Sequence, residues 1–240
     1  MFDSSHPHEC ASQPAAWTSE SFAAGFDVAW LRAFEPRRRV VKAKAQVFRA
    51  GQAAGSVFLI NSGVFKTSIA SADGREKITG FRMRGDLLGL CSLGMHEHAG
   101  DAVALTVGEV WEYSQQQLFA AGAAAQQRLA TVLASEIRRD WEWMLSTSSF
   151  GAEQRVVSFL LDLSARMQAR GYSGRELSLP MSRSELGNYL ALQLETVVRA
   201  LSKLQQLGLI AIDGRDISLR DSAGLRALLT RPTQACLRAA

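Results

Sequence analysis

Two side chains one helical turn apart, Glu195 and Arg199, carry the most specific chemistry in the sequence. An arginine fork can donate to guanine O6 and N7 together, and a carboxylate can accept from cytosine N4, so the pair could read one C and one G in a major groove. The alternative is an ordinary i,i+4 ion pair on a solvated helix. The surrounding stretch, residues 179–219 (LPMSRSELGNYLALQLETVVRALSKLQQLGLIAIDGRDISL), favours base reading. Pro180 ends what precedes it, and Ser182 with Glu185 forms a capping box that starts a short helix with Leu186, Tyr189 and Leu190 on its inner face. Residues 191–193 make a turn. A second helix over about 194–207 buries Val197, Leu201 and Leu204 and ends at Gly208. Apolar runs at 209–212 and 217–219 flank Asp213-Gly214, a hairpin signal. This is a helix-turn-helix followed by a wing, a motif that lays the start of its second helix against base edges. Glu195, Val198 and Arg199 are the base-reading candidates there, and Ser182, Arg183, Thr196 and Lys203 are placed to hold phosphates.

The elements that must position this unit follow from length and charge. With 240 residues the chain suits two domains, each able to bury its own core. Its hydrophobic fraction of 47% and charged fraction of 21% are those of an ordinary soluble protein. Residues 1–150 hold 15 basic and 15 acidic side chains and residues 151–240 hold 12 and 8, so the net charge of +4 lies in the C-terminal part. That asymmetry favours a polyanionic partner for the second domain. With no membrane-length apolar run and no basic-then-apolar leader, the expectation is a cytoplasmic protein with no membrane partner. Cys10, Cys91 and Cys236 share no short spacing, which supports neither a disulfide framework nor a CxxC metal site.

Residues 1–18 read as a disordered tail whose His6, His8 and Cys10 either chelate a metal or form an incidental polar stretch. Residues 19–34 read as an amphipathic helix through Phe22, Phe26, Trp30 and Phe34, and Arg37, Arg38 and Arg39 as a solvated face in preference to a DNA contact. From about 40 to 114, β-prone segments at 57–60, 64–69, 78–83 and 110–113 alternate with glycines, with Asp73-Gly74 as a hairpin turn. Such spacing argues for a small barrel or jelly roll that senses or docks a ligand. Residues 115–148 read as one long helix. Leu129, Leu133, Ile137 and Met144 recur on it at helical steps, as in a coiled-coil dimer seam. Asp140 falls on or beside that stripe; facing carboxylates would repel unless Arg138 or Arg139 turned back to pair with them, so Asp140 is expected to weaken the dimer, or else to face solvent. Residues 146–151 (STSSFG) look like a hinge to a further helix at 153–170.

This order of parts resembles the Crp/Fnr superfamily of bacterial transcription regulators, and more closely its Fnr branch. The resemblance covers residues 38–229 and rests on ITGFRMRGDLLGL (78–90), EIRRD (136–140) and MSRSELGNYLALQLETVVRALSKLQQLGLIAI (181–212). It implies an α+β chain with an N-terminal β-roll of the jelly-roll, cyclic-nucleotide-binding-like kind, a long dimerisation helix and a C-terminal winged helix-turn-helix. The divisions expected are a tail at 1–18, the β-roll with its leading helix at 19–114, the dimerisation helix at 115–148 and the DNA-binding domain at 149–240. The resemblance also implies a homodimer on palindromic double-stranded DNA, with recognition helices roughly 34 Å apart. RNA polymerase is the further implied partner, with Asp73, Arg75 and Lys77 as one candidate contact and a plain solvated turn as the alternative.

Departures from the family pattern sharpen these expectations. Oxygen-sensing members of the branch hold a [4Fe–4S] cluster on an N-terminal group of cysteines plus one near the end of the β-roll. Here Cys10 stands alone in the first region and Trp111 occupies the other position, so no cluster is expected. Cyclic-nucleotide binders use a Gly-Glu pair and an Arg-Ser/Thr pair. Gly85-Asp86 stands in part for the first, and residues 99–103 contain no arginine, so cyclic AMP is not expected either. Fnr-branch members usually carry Glu-x-x-Ser-Arg in the recognition helix, where this chain has Glu195-Thr-Val-Val198-Arg199. A TTGAT-like half-site with its TGA core kept is implied, and Val198 should read the outer base less strictly through a thymine methyl. The run CSLGMHEH (91–98) offers Cys91, His96 and His98 to a haem or metal, with surface histidines in a turn as the alternative; Cys91 is either a redox thiol or a small buried hydrophobe. No cofactor is assigned, and the effector is left open. Two rivals remain, a haem- or metal-dependent gas sensor of the same fold and a cupin-like metalloenzyme, the latter needing histidines that the strands lack. A regulator rather than an enzyme is expected.

Overall fold

Short apolar runs cut by glycine turns build the first half of the chain, and the computed structural model describes residues 28–230. One antiparallel sheet holds β1 (Arg37–Val41), β3 (Ser56–Ser62), β6 (Leu87–Leu88) and β8 (Gly108–Ser114) in the order β1-β8-β3-β6. The other holds β2 (Gln46–Phe48), β4 (Val64–Ala70), β5 (Glu76–Met83) and β7 (Asp101–Ala104) in the order β2-β7-β4-β5. Alternate side chains of both, among them Phe48, Phe58, Phe65 and Val110, fill one core between them. The strands expected from the sequence fall within β3, β4, β5 and β8. Gly74 turns β4 into β5 at a φ of +79°, which suits a residue without Cβ. Arg37–Arg39 lie in the edge strand β1. Of the leading helix expected at 19–34, residues 19–27 lie outside the described residues, and the part within them is one 3-10 turn, Ala29–Ala33, that buries Leu31. His6, His8, Cys10 and Cys236 also lie outside them.

The helix expected over 115–148 is interrupted. Gly122, at φ +89°, separates α1 (Gln115–Ala120) from α2 (Ala123–Ser149). The first turns of α2 pack on the β-roll: Leu129 is buried at 2% exposure and Leu133 packs beside it, in a cluster with Leu31, Val57, Tyr113 and Leu118. These two leucines therefore turn into their own domain and leave the seam assigned to them. The exposed stripe runs through Ala130, Ala134, Ile137, Trp141, Met144 and Ser148, spaced four, three, four, three and four, the a/d rhythm of a coiled coil. Ile137, Trp141 and Met144 are 50%, 56% and 59% exposed on it. Asp140 is exposed beside this stripe, next to Trp141. Arg139 turns to Glu136 at 2.8 Å.

After a break at Phe150 and Gly151 the second half comprises α3 (Ala152–Ala169), β9 (Glu176–Ser178), α4 (Arg183–Leu190), α5 (Leu194–Gln206), β10 (Ile210–Asp213), β11 (Asp216–Leu219) and α6 (Ser222–Leu229). The expected hairpin is β10 and β11, and β9 joins it as a third strand in the order β10-β11-β9. The core of this half is continuous with β5. Ile78, Phe81 and Met83 share one apolar cluster with Phe159, Leu160, Leu186 and Leu201, each such side chain contributing about 1.5–3 kcal/mol by leaving water.

Polar groups fix the same joint. On the open edge of β5, the Asn188 side-chain carbonyl accepts from the Ile78 amide at 2.7 Å, and its NH2 donates to the Glu76 carbonyl at 2.8 Å, as a neighbouring strand would. Lys77 Nζ donates to the last carbonyls of α4, those of Asn188 and Tyr189. Glu185 of α4 reaches Lys66 of β4 at 3.2 Å. Deeper in, Asp86 is fully buried; it accepts from the Met83 amide at 2.9 Å and from Arg166 of α3 and Arg170, the residue that caps that helix, at 2.6 Å each. Burial raises the Asp86 carboxyl, but the two guanidiniums outweigh it and hold the group below the usual carboxylate range.

Candidate DNA interface

The capping box expected at Ser182 forms. Its hydroxyl accepts from the Glu185 amide at 3.1 Å, and its own amide donates to the Glu185 carboxylate at 2.8 Å. Burial raises the Glu185 carboxyl, but its bonds to Ser182 and to Lys66 carry it below its ordinary value. At the other end of α4 the turn is tight: Ala191 sits at φ +54°, and a Cβ on Gly187 would meet the Leu192 carbonyl at 2.7 Å. Only glycine at 187 admits that approach. α5 then begins at Leu194, with Val197, Ala200, Leu201 and Leu204 buried.

Its outer face carries Glu195, Val198 and Arg199, all exposed, Val198 at 45%. Arg199 Nε donates to the backbone carbonyl of Glu195 at 3.3 Å. Among the described residues no ion pair joins the two side chains, so the carboxylate and the terminal guanidinium nitrogens are open to a partner. The remaining candidates divide. Thr196 is partly exposed on the first turn of α5. Arg183 donates to the Gly214 carbonyl of the wing turn at 3.0 Å, tying α4 to the β10–β11 hairpin. The Ser182 hydroxyl is engaged as a cap. Lys203 pairs with Glu153 of α3 at 2.5 Å, so its charge is already answered within the chain.

The hairpin assigned to polymerase also divides. Asp73 and Arg75 form an exposed ion pair of 2.6 Å at the turn. Lys77 must be withdrawn from that assignment: its ammonium is held by the end of α4 and lies 5.1 Å from the centre of the Trp143 ring. In the run CSLGMHEH, Cys91 is exposed rather than buried, while His98 is buried and stacked on Phe48 with ring centres 3.8 Å apart. Burial lowers the imidazole pKa. Among the described residues no group of three His, Cys, Asp or Glu side chains stands close enough to hold a metal. Trp111, on β8, donates to Glu109 at 2.7 Å and lies under Arg38. The residues that hold the two halves together, Asn188, Arg166 and Arg170, have no local signal in the sequence; Trp141 could have been found from the four-three spacing of its stripe.

Comparison with known proteins agrees with this architecture. Residues 38–124 match the sequence model of the cyclic nucleotide-binding domain, and residues 154–228 that of the Crp-like helix-turn-helix domain. The chain is 38% identical over 195 residues to the transcriptional activator protein FnrA of Stutzerimonas stutzeri, covering 80% of each chain. The chain belongs to the Crp/Fnr family of transcription regulators. It is 34% identical to the fumarate and nitrate reduction regulatory protein of Salmonella typhimurium, over 80% of this chain and 78% of that one. FixK2 from Bradyrhizobium japonicum superposes with a TM-score of 0.76 at 28% identity, over 83% of this chain and 100% of that one. As a Crp/Fnr protein the chain is a DNA-binding regulator and not an enzyme, with the β-roll, long helices and helix-turn-helix of its relatives. Among the described residues no helix is long and apolar enough to cross a membrane.

Proposed function

We propose that this Crp/Fnr regulator works as a homodimer that sets two α5 helices into successive major grooves of a palindromic, TTGAT-like site. The observation that carries this reading is the outer face of α5, where Glu195 and Arg199 stand one turn apart, exposed and not paired with each other. Arg199 reads the G and Glu195 the C of the core, Val198 meets a thymine methyl at the outer base, and Arg183 and Thr196 hold phosphates. The exposed Ile137–Trp141–Met144 stripe of α2 supports the dimer, since a helix that leaves such residues in water gains by pairing with a copy of itself. The names of the relatives favour activation, with the exposed Asp73–Arg75 turn as the surface offered to RNA polymerase in the cytoplasm.

The reading includes neither cyclic AMP nor an iron–sulfur cluster. The residues of the β-roll do not fit a cyclic nucleotide: Asp86, at the position that would meet the ribose, is buried and engaged by Arg166 and Arg170, and no arginine lies in residues 99–103 to meet a phosphate. The sequence holds three cysteines, Cys10, Cys91 and Cys236, against the four thiolates a cluster takes. Fluorescence anisotropy with a TTGAT-N4-ATCAA duplex, at fixed salt and with no added ligand, tests the proposal. Affinity of roughly 10 nM that is lost when the TGA core is scrambled is the expected result. Binding that ignores the core sequence would overturn it.

A further inference from the structure

A cleft opens where the β-roll, the long helix and the DNA-binding half meet, walled by β5, α2, α3 and α4 and lined by Phe81, Trp143, Phe159 and Tyr189. Charged groups enter it from every wall. β5 contributes Arg82; α2 contributes Arg139, Asp140 and Glu142; α3 contributes Arg155, Asp162 and Arg166; α4 adds the Tyr189 phenol.

Almost all of these cations are engaged elsewhere. Arg82 pairs with Glu136 at 2.7 Å and Arg139 with the same carboxylate at 2.8 Å. Arg166 is drawn to Asp86 at 2.6 Å and reaches Asp162 only at 3.6 Å. Arg155 donates to the carbonyls of Phe150 and Leu190 at 2.9 and 3.2 Å. Glu142 is left over: its Oε1 is buried with no hydrogen-bond partner among the described residues, and Asp162 of α3 lines the same cleft, near enough for its charge to act on Glu142. A buried carboxyl in that position is tolerated neutral and costly when charged.

We propose that Glu142 and Asp162 form a proton-operated hinge, in which a proton on Glu142 keeps α3 closed against α2 and its loss drives the two helices apart. α3 and α4 share one core, so opening at α3 also lifts α4 from the edge of β5, and the Asn188 bonds to Ile78 and Glu76 are lost with it. The reading face of α5 is thereby freed from its fixed position relative to the β-roll. Burial first, then the Asp162 charge, push the Glu142 carboxyl up from 4.5 to about 7, with Arg139 opposing. A carboxyl raised in the closed form stabilises that form fully below its ordinary pKa and loses the effect as pH rises to the raised value.

The Ile78 amide reports the closed state directly, because it donates to Asn188 across the joint. Its hydrogen-exchange protection, corrected for the intrinsic rate, is measured on the full chain without DNA, so the result does not depend on which bases α5 reads. Protection is expected to fall by up to about tenfold per pH unit between roughly pH 5 and 7 and to level off above that. Glu142→Gln, which keeps size and cannot ionise, should hold it flat across that window. Asp162→Asn should move the levelling point to lower pH. A fall in Glu142→Gln parallel to that of the unaltered chain overturns the hinge. If far-UV circular dichroism shows that this variant does not fold, an Asp162→Asn profile identical to the unaltered one overturns it instead.

Discussion

The outer face of α5 and the Gly85-Asp86 corner of the β-roll both carry charged side chains, and those charges are disposed in opposite ways. Glu195 and Arg199 stand in water with their side chains open to a partner. Asp86 is fully buried, and two arginines of the DNA-binding half, with the Met83 amide, take its oxygens. A carboxylate buried in the β-roll thus serves here to hold one half of the molecule to the other. What decides the role of a charge in these two places is whether it is met from outside the chain or from within.

Substitutions should separate the two corners by what they change, stability or sequence preference. The largest effect is expected from Asp86→Ala, which leaves Arg166, 5% exposed, without its buried partner. Urea melts should show a loss of about 3–5 kcal/mol, with the base preference of the folded protein unaltered. Because the Asp86 carboxyl is held low, the stability it adds is present above about pH 4 and is lost as the pH falls through its depressed value. Asp86→Asn should therefore flatten the acid limb of the melting curve. If either variant shifted base preference while keeping stability, the contrast between the corners would fail.

Arg199→Ala comes next. It should cost about 1–3 kcal/mol of specific binding in a half-site substitution series and flatten preference at one base pair, with thermal stability unchanged. Arg183→Ala should be smaller, weakening all sequences alike by about 1 kcal/mol, with some loosening of the wing because its bond to Gly214 goes. The smallest effects should come from Lys203→Ala and Asp140→Ala. Lys203 already answers Glu153 on a largely exposed site, so its loss should change DNA affinity by less than about 0.5 kcal/mol and leave the salt slope as it was. Asp140 lies beside the α2 stripe, and its removal should tighten the dimer slightly in sedimentation equilibrium; an unchanged association constant would remove it from the seam altogether.

What could be read in advance and what could not divide along a physical line. The capping box at Ser182, the buried heptad-like positions of α5 and the Asp213-Gly214 turn are local signals, and each appears where the sequence puts it. The direction of Leu129 and Leu133 on α2 is set by the β-roll beneath them, a long-range contact. Periodicity alone cannot say which of two neighbouring stripes faces home. Lys77 was assigned outward for the same reason: nothing within five residues tells that α4, more than a hundred positions later, ends against it. The short strands β1, β2, β6 and β7 lacked alternation long enough to mark them, and the Gly122 break in the long helix was passed over although the residue that permits it is visible.

Asn188 has one more consequence, for self-association. β5 ends its sheet, and the amide of Asn188 occupies backbone groups of that edge which would otherwise pair with any passing strand. Ile78, Phe81 and Met83 on the same strand are covered by the DNA-binding half as well. The helix-turn-helix therefore doubles as an edge guard for the domain before it. A fragment ending at residue 149 would bare both the hydrogen-bonding edge and its apolar flank, and strand-to-strand aggregation, rather than simple unfolding, is the fate to expect of it.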